Sequence, residues 1–464
     1  STDYGPCPVG VVHAPAYDEF RRVVRLSNSV TPAASTTQRL SEYDYFRNKV
    51  GAPTSILAND ASNYSALGMQ KDILPIGYDT LHRLTSAGYA TDLQSEAFTY
   101  DDLGNRISFT QRDATVVSYA HNKANEYEKI GPSPLPPQPN VRHDDAGNLT
   151  SDEDGYGYAY DYDNKLVLIF QDTNADGDQD AGEATLAAYV RDALGRRIEY
   201  QDQGSTGPTV TTRYYHDGDN SVVEYDDKIT VGISLRRYFV HGAQYIDERA
   251  VVHDFDFAQD FYYYLADLFT VDGLVNNRGH EVERYTYDVY GKPEITVVKI
   301  YDVNYDGTVD SLDSGVVTLN IGQDPCIVGP IYDVDGSGVI DFSDVNAINL
   351  NLGPALATSP QSSIGNPYLF TGRTLDTIYD GTAFPAIHVV LQDNRNRSYD
   401  TEHGRWLQRD PLMYVDGMNL YEYVSSRPTS FIDPTGRRKI LVMVRAFIGG
   451  WRGSWFDEPG GTVW

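Results

Sequence analysis

Three stretches of this chain place oxygen-bearing side chains at the spacing a hard cation needs. The first carries Asp302, Asn304, Asp306, Asp310 and Asp313, the second Asp333, Asp335, Ser337, Asp341 and Asp344, and the third Asp172, Asn174, Asp176, Asp180 and Glu183. In each, the oxygens fall at positions 1, 3, 5, 9 and 12 of a twelve-residue frame, with glycine (Gly307, Gly338, Gly177) at position 6. A calcium ion takes six to eight oxygens, and the glycine permits the sharp turn that lets one short loop supply them. Ca2+ is therefore expected at all three. Val309 and Ile340, both at position 8, can pair with each other. The third loop has Gln179 there and no partner loop, so a solvated acidic turn is its alternative reading.

The elements that must hold the first two loops are short helices. Apolar residues recur at helical spacing after each: Val316 and Leu319, then Val345, Ile348 and Leu352. Two such loops 31 residues apart resemble a type I dockerin module, and Asp at position 12 agrees with that family. The resemblance implies a cohesin-like partner chosen by positions 10 and 11, here Ser311-Leu312 and Phe342-Ser343. These pairs differ between the halves and the module is internal. A calcium-stapled structural insert is thus expected ahead of cohesin docking.

Around this insert the chain reads as hairpins. The pattern Y-D-x-x-G-[NR]-[RL] recurs in Gly77-Tyr78-Asp79, Tyr100-Asp101-Asp102-Leu103-Gly104-Asn105-Arg106, Asp144-Asp145-Ala146-Gly147-Asn148-Leu149, Tyr160-Asp161-Tyr162-Asp163-Asn164-Lys165-Leu166 and Arg191-Asp192-Ala193-Leu194-Gly195-Arg196-Arg197. Each unit is strand, turn, strand, and one hairpin cannot bury its apolar face alone, so successive units must stack. The 36 tyrosines against 16 phenylalanines suit half-buried sheet faces. The repeats resemble YD repeats. Further on stand Gly404-Arg405-Trp406-Leu407-Gln408-Arg409-Asp410-Pro411, Met418-Asn419-Leu420-Tyr421-Glu422-Tyr423, Arg427-Pro428 and Asp433-Pro434-Thr435-Gly436. This run is similar to the core that closes Rhs proteins. The resemblance implies a mainly β protein whose hairpins spiral into a small or partial shell, with a small α calcium-binding insertion. An ordinary β-sandwich with Tyr-Asp turns is the alternative. The expected divisions are an N-terminal segment of uncertain fold (1–76), YD repeats (77–298), the dockerin-like insertion (299–354), the Rhs-associated core (355–436) and a terminal strand or tail (437–464).

Many Rhs cores cut themselves behind D-P-x-G-L, using two aspartates that share a proton. The matching residues are Asp410 and Asp433, with Arg409 as the accompanying charge. Arg437 replaces the leucine, Met413 replaces a glycine, and only 28 residues follow Gly436. The expectation is an uncut chain in which the Asp-Pro pairs merely form turns. No HExxH and no convincing triad is found among ten histidines.

A formal charge of −29 discounts nucleic acid and anionic lipid as partners. No run of 18 apolar residues offers a membrane span. No signal peptide is read at Ser1, and a start without Met allows prior processing. Cys7 and Cys326 could pair or stay as two thiols. Asn63, Asn148 and Asn396 head glycosylation sequons, which matter only in a source that glycosylates. The primary expectation is a secreted or cell-surface, non-enzymatic structural protein stabilised by calcium. A toxin-delivery shell with a self-cleaving core and a cohesin-docking module are the alternatives. The apolar stretch Lys439 to Trp451 reads as a strand. It either tucks into its own shell or adds to a neighbour's sheet edge, giving head-to-tail self-assembly.

Overall fold

The computed structural model describes residues 9–18, 22–32, 38–48, 50–58, 72–89, 95–202, 210–228, 232–242, 245–255, 261–378 and 389–441. The repeat motif explains itself at the turns. Asp101 accepts the backbone N–H groups of Leu103 and Asn105 at 2.9 and 2.8 Å, and the Asn105 amide returns to its other oxygen at 2.9 Å. Asp79 and Asp192 do the same, with Arg83 and Arg196 reaching back through Nε at 2.7 and 2.8 Å. One carboxylate thus satisfies the turn that its own backbone would otherwise leave open. The Asn/Arg preference four residues after the aspartate supplies the donor to that carboxylate. Gly104 and Gly195 sit at φ +83° and +80°, a region glycine enters at no steric cost.

Joined by such turns, the strands form two long antiparallel sheets in chain order. The first has ten strands, from Val9–Tyr17 to Tyr127–Pro132. The second has fifteen, from Arg142–His143 through Pro293–Val298 and then Leu356–Ser359. The first 76 residues therefore contribute strands to the same sheet as the first repeats. The Tyr43 hydroxyl donates to Asp272 at 2.5 Å, tying an early strand to a late one across 229 residues.

Residues 366–378 and 389–432 lie against the buried side of both sheets. Tyr399, Trp406 and Tyr423 pack with Leu84, Phe98 and Tyr119 of the first sheet. Ile378, Leu391 and Leu407 pack with Ile169, Leu186 and Tyr189 of the second, and Tyr368 and Leu375 pack with Phe239 and Leu274. The fold is mainly β, a small shell of the YD-repeat, Rhs-like kind, with the core strands packed against its inner face. A cavity of about 50 Å³ beside Tyr158, Trp406 and His403 has room for a few waters.

Buried ion pairs fasten core to wall. Arg197 grips Asp376 with two bonds of 2.8 and 2.6 Å and also meets Asp393 at 3.1 Å. Arg373 and Arg395 both bind Asp247 at 2.8 Å. Burial alone would raise the Asp247 carboxyl, but the two guanidinium groups hold it below the usual range.

The segment 299–355 leaves the second sheet between neighbouring strands, since Val298 pairs with Leu356. It holds helices Ser311–Leu319 and Phe342–Leu350. Val309 and Ile340 share one core with Val317 and Ile348. Their backbones do not pair with each other: Val309 pairs with Gly353, and the Ile340 carbonyl accepts Gly322 N–H at 2.9 Å. Cys326 is held in a disulfide, while Cys7 lies outside the described residues. Ile440–Leu441 pairs with Phe431–Ile432. The rest of the expected terminal strand, from residue 442, also lies outside them.

Removing one partner of a buried ion pair costs about 3–5 kcal/mol, whereas a solvent-screened surface pair contributes little. In urea unfolding at neutral pH, Arg197→Met is expected to lose the larger amount. Arg25→Ala, which breaks the surface pair with Asp44, is expected to lose the smaller. Equal losses would mean that the core is not anchored through Arg197.

Candidate functional site

Two tight turns and one hairpin edge converge in the core. Asp410 enters a turn whose Leu412 N–H its side chain accepts at 2.8 Å. Asp433 opens a second turn and accepts the N–H groups of Thr435, Arg437 and Arg438 at 3.2, 3.2 and 3.1 Å, all on Oδ1. Both aspartates are buried. Arg397 lies between them, with Nη2 at 3.1 Å from Asp410 Oδ2 and 3.3 Å from Asp433 Oδ2. Its Nε donates to the Gly436 carbonyl at 2.6 Å, and its guanidinium stacks over Trp406 at 4.1 Å.

Burial pushes both carboxyls above their usual range, with Arg397 only partly offsetting it. Burial also lowers the Arg397 guanidinium from its ordinary value. Gly436 has φ +64°, and a β-carbon there would stand 2.7 Å from the Asn394 carbonyl and 2.9 Å from the Arg397 nitrogen. Glycine is what lets the chain bring that carbonyl under the guanidinium.

The expected charge partner is corrected. Arg409 points away, its guanidinium joining Glu126 and the Tyr421 hydroxyl, the latter at 3.1 Å. Arg397 stands in its place because Ser398–Asp400 pairs antiparallel with Arg405–Trp406. Continued outward, that register sets Arg397 opposite Gln408, two residues before Asp410. Hairpin register, rather than adjacency to Asp410, was the signal that could have found Arg397.

The acidic loops share one internal pattern. In the first, Gly307 N–H donates to Asp302 at 2.8 Å and Asp310 N–H to Asp313 at 2.8 Å. In the second, Gly338 N–H donates to Asp333 at 2.9 Å and Asp341 N–H to Asp344 at 2.8 Å. In the third, Gly177 N–H donates to Asp172 at 3.0 Å and Asp180 N–H to Glu183 at 2.9 Å. Asp310 and Asp341 are also helix N-caps, in capping boxes with Asp313 and Asp344, so part of the ligand pattern has a structural task of its own. Among the described residues, one group of three acids brings its ligand atoms within 4.8 Å of one another: Asp333, Asp335 and Asp344. Asp333 Oδ1 is buried with no hydrogen-bond partner, which fits a cation there. Ser337 gives its hydroxyl to the Val339 carbonyl at 3.1 Å. In the first loop the Asn304 amide donates to Asp306 at 3.0 Å. In the third, the Asn174 amide donates to Asp176 and Asp180 at 3.0 and 2.9 Å, its Oδ1 accepting Asp176 N–H.

No family model matches the chain, and no curated protein does. Solved structures match its fold. A crystal structure of TcdB2-TccC3-Cdc42 superposes with TM-score 0.60 and 17% identity over 92% of this chain. A crystal structure of TcdB2-TccC3 gives 0.58 and 17% over 92%. The Photorhabdus luminescens Tc holotoxin pore, carrying a TccC3 point variant, gives 0.59 and 17% over 95%. This chain spans 18 to 19% of the length of those chains. What the chain shares with these toxin complexes is the fold of a YD-repeat, Rhs-like β shell.

Proposed function

We propose that this chain is the closing unit of an Rhs-type, toxin-delivery shell and that its core cuts its own backbone behind Gly436. One observation carries the reading: Arg397 joins both buried aspartates to the Gly436 carbonyl. Similarity of fold to Tc toxin complexes supports the delivery class over a purely structural role. The geometry supports cutting over the intact chain expected from Arg437.

The Gly436–Arg437 bond is held at both ends. Its carbonyl oxygen faces Arg397 Nε, a fixed cation placed where negative charge develops when water adds to the carbonyl. Its nitrogen lies 3.2 Å from Asp433 Oδ1. Two carboxyls close to one guanidinium, both raised by burial, favour a state with one proton between them. The ionised carboxylate takes a proton from the attacking water. The other carboxyl gives its proton to the Arg437 nitrogen as the bond breaks, leaving a carboxylate on Gly436 and a new amino terminus on Arg437.

A second reading concerns the insertion, and the orphaned Asp333 oxygen favours it. Calcium held by Asp333, Asp335 and Asp344 would neutralise three carboxylates that now face one another, and the first and third loops would take the same ion. The insert would then be a calcium-stapled element pinned to the shell by Arg278, whose guanidinium donates to the Val334 carbonyl at 2.9 Å.

Self-cutting is expected to appear on denaturing gels during refolding as a band shortened by the tail. Asp410→Asn should slow it by at least about 10²-fold, and Arg397→Lys, which loses the Nε contact, by a comparable factor. Arg409→Ala should still cut. Raising the pH ionises both carboxyls, so cutting should slow as the pH climbs through their raised range. A cut that survives Asp410→Asn, or none under any of these conditions, would refute the reading.

Binding to the native state alone adds about 2.7 kcal/mol at a hundredfold excess of ligand over Kd. The melting temperature is therefore expected to fall when EGTA replaces calcium, and Asp333→Asn should shrink that difference. A melting temperature indifferent to calcium would exclude the staple.

A further inference from the structure

Five large apolar side chains stand in water on one short stretch beside the core site. Leu412, Met413, Tyr414, Val415 and Met418 are each 41 to 66% exposed. They follow directly on Asp410, around a single 3-10 turn at Met413–Val415. So dense an apolar tip on a chain of net charge −29 marks a contact surface.

The chain leaving the core passes beside this tip. Lys439 donates its backbone N–H to Asp416 Oδ2 at 2.8 Å. Its ammonium donates to the Asp416 carbonyl at 2.7 Å and the Ser425 hydroxyl at 2.6 Å. Asp416 sits inside the apolar stretch, so the tip itself holds the outgoing chain. Two residues later the description ends at Leu441. The next ten residues are Val442-Met443-Val444-Arg445-Ala446-Phe447-Ile448-Gly449-Gly450-Trp451.

We propose that the apolar tip 412–418 is the docking surface for segment 442–451 of the same chain. The segment begins next to the tip. Apart from Arg445 and two glycines it is wholly apolar, and at about 3.3 Å per residue it is long enough to cover the turn. A second copy is the poorer occupant, because it would bring another −29 charges to the same face. If the core cuts behind Gly436, the piece beyond the cut is retained on the shell by this contact and by Lys439. That consequence rests on the self-cutting reading, whereas the docking does not.

The test uses the full chain with Asp410→Asn, which keeps the tail joined, and p-benzoylphenylalanine in place of Tyr414. Illumination at micromolar concentration, with light and heavy isotopic copies mixed, is followed by digestion and mass analysis. Cross-links from position 414 to residues 442–451 of the same copy are expected. Cross-links between light and heavy copies, to other parts of the chain, or to nothing would overturn the proposal. In the chain that cuts, the triple change Tyr414→Ser, Val415→Ser and Met418→Ser should release at least about tenfold more 437–464 fragment on size exclusion. Equal retention would also overturn it. Failure to cut at all would count against the self-cutting reading and leave the cross-link result to decide docking.

Discussion

The molecule depends on one constraint: guanidinium groups carried out of water must meet carboxylates brought from elsewhere in the chain. A lone buried charge costs several kcal/mol. Arg197 of the wall reaches Asp376 of the core, 179 residues on. Arg373 and Arg395 of the core reach Asp247 of the wall. Arg397 reaches Asp410 and Asp433 within the core. The first two sets are satisfied only when core and wall meet, whereas the third is made within the core itself and forms the candidate site.

How much of this could be read from sequence follows from distance along the chain. The turns were legible because a single aspartate, such as Asp101, supplies both acceptors locally and its Asn or Arg donor is four residues away. The spacing of the acidic loops is legible for the same reason, since each closes on its own backbone within twelve residues. Spacing alone could not separate a cation ligand from a helix cap, and Asp310 and Asp341 are placed as caps whatever else they bind. The filled interior was not legible, because contacts such as Tyr421 with the Gly147 carbonyl span 274 residues. Arg397 was missed because the arginine adjacent to Asp410 in sequence is not the one adjacent in space.

Segment 299–355 shows how a chain can leave a sheet without breaking its ladder. It departs between Val298 and Leu356, which pair with each other, so the ladder continues past the interruption. Its own core, built on Val309, Val317, Ile340 and Ile348, is separate from those under the two sheets. A loop at a sheet end tolerates such an addition when no ladder hydrogen bond is lost. Arg278 then fixes its orientation through the Val334 carbonyl, close to the three acids that face one another.

The central claim is that Arg397 selects the Gly436 carbonyl. The direct measurement is the intact mass of both pieces after refolding of the full chain. The account predicts a released piece beginning at Arg437 and a shell piece ending at Gly436. A piece beginning at Arg438, or at any other residue, would contradict it, since the carbonyl then attacked is not the one the guanidinium holds.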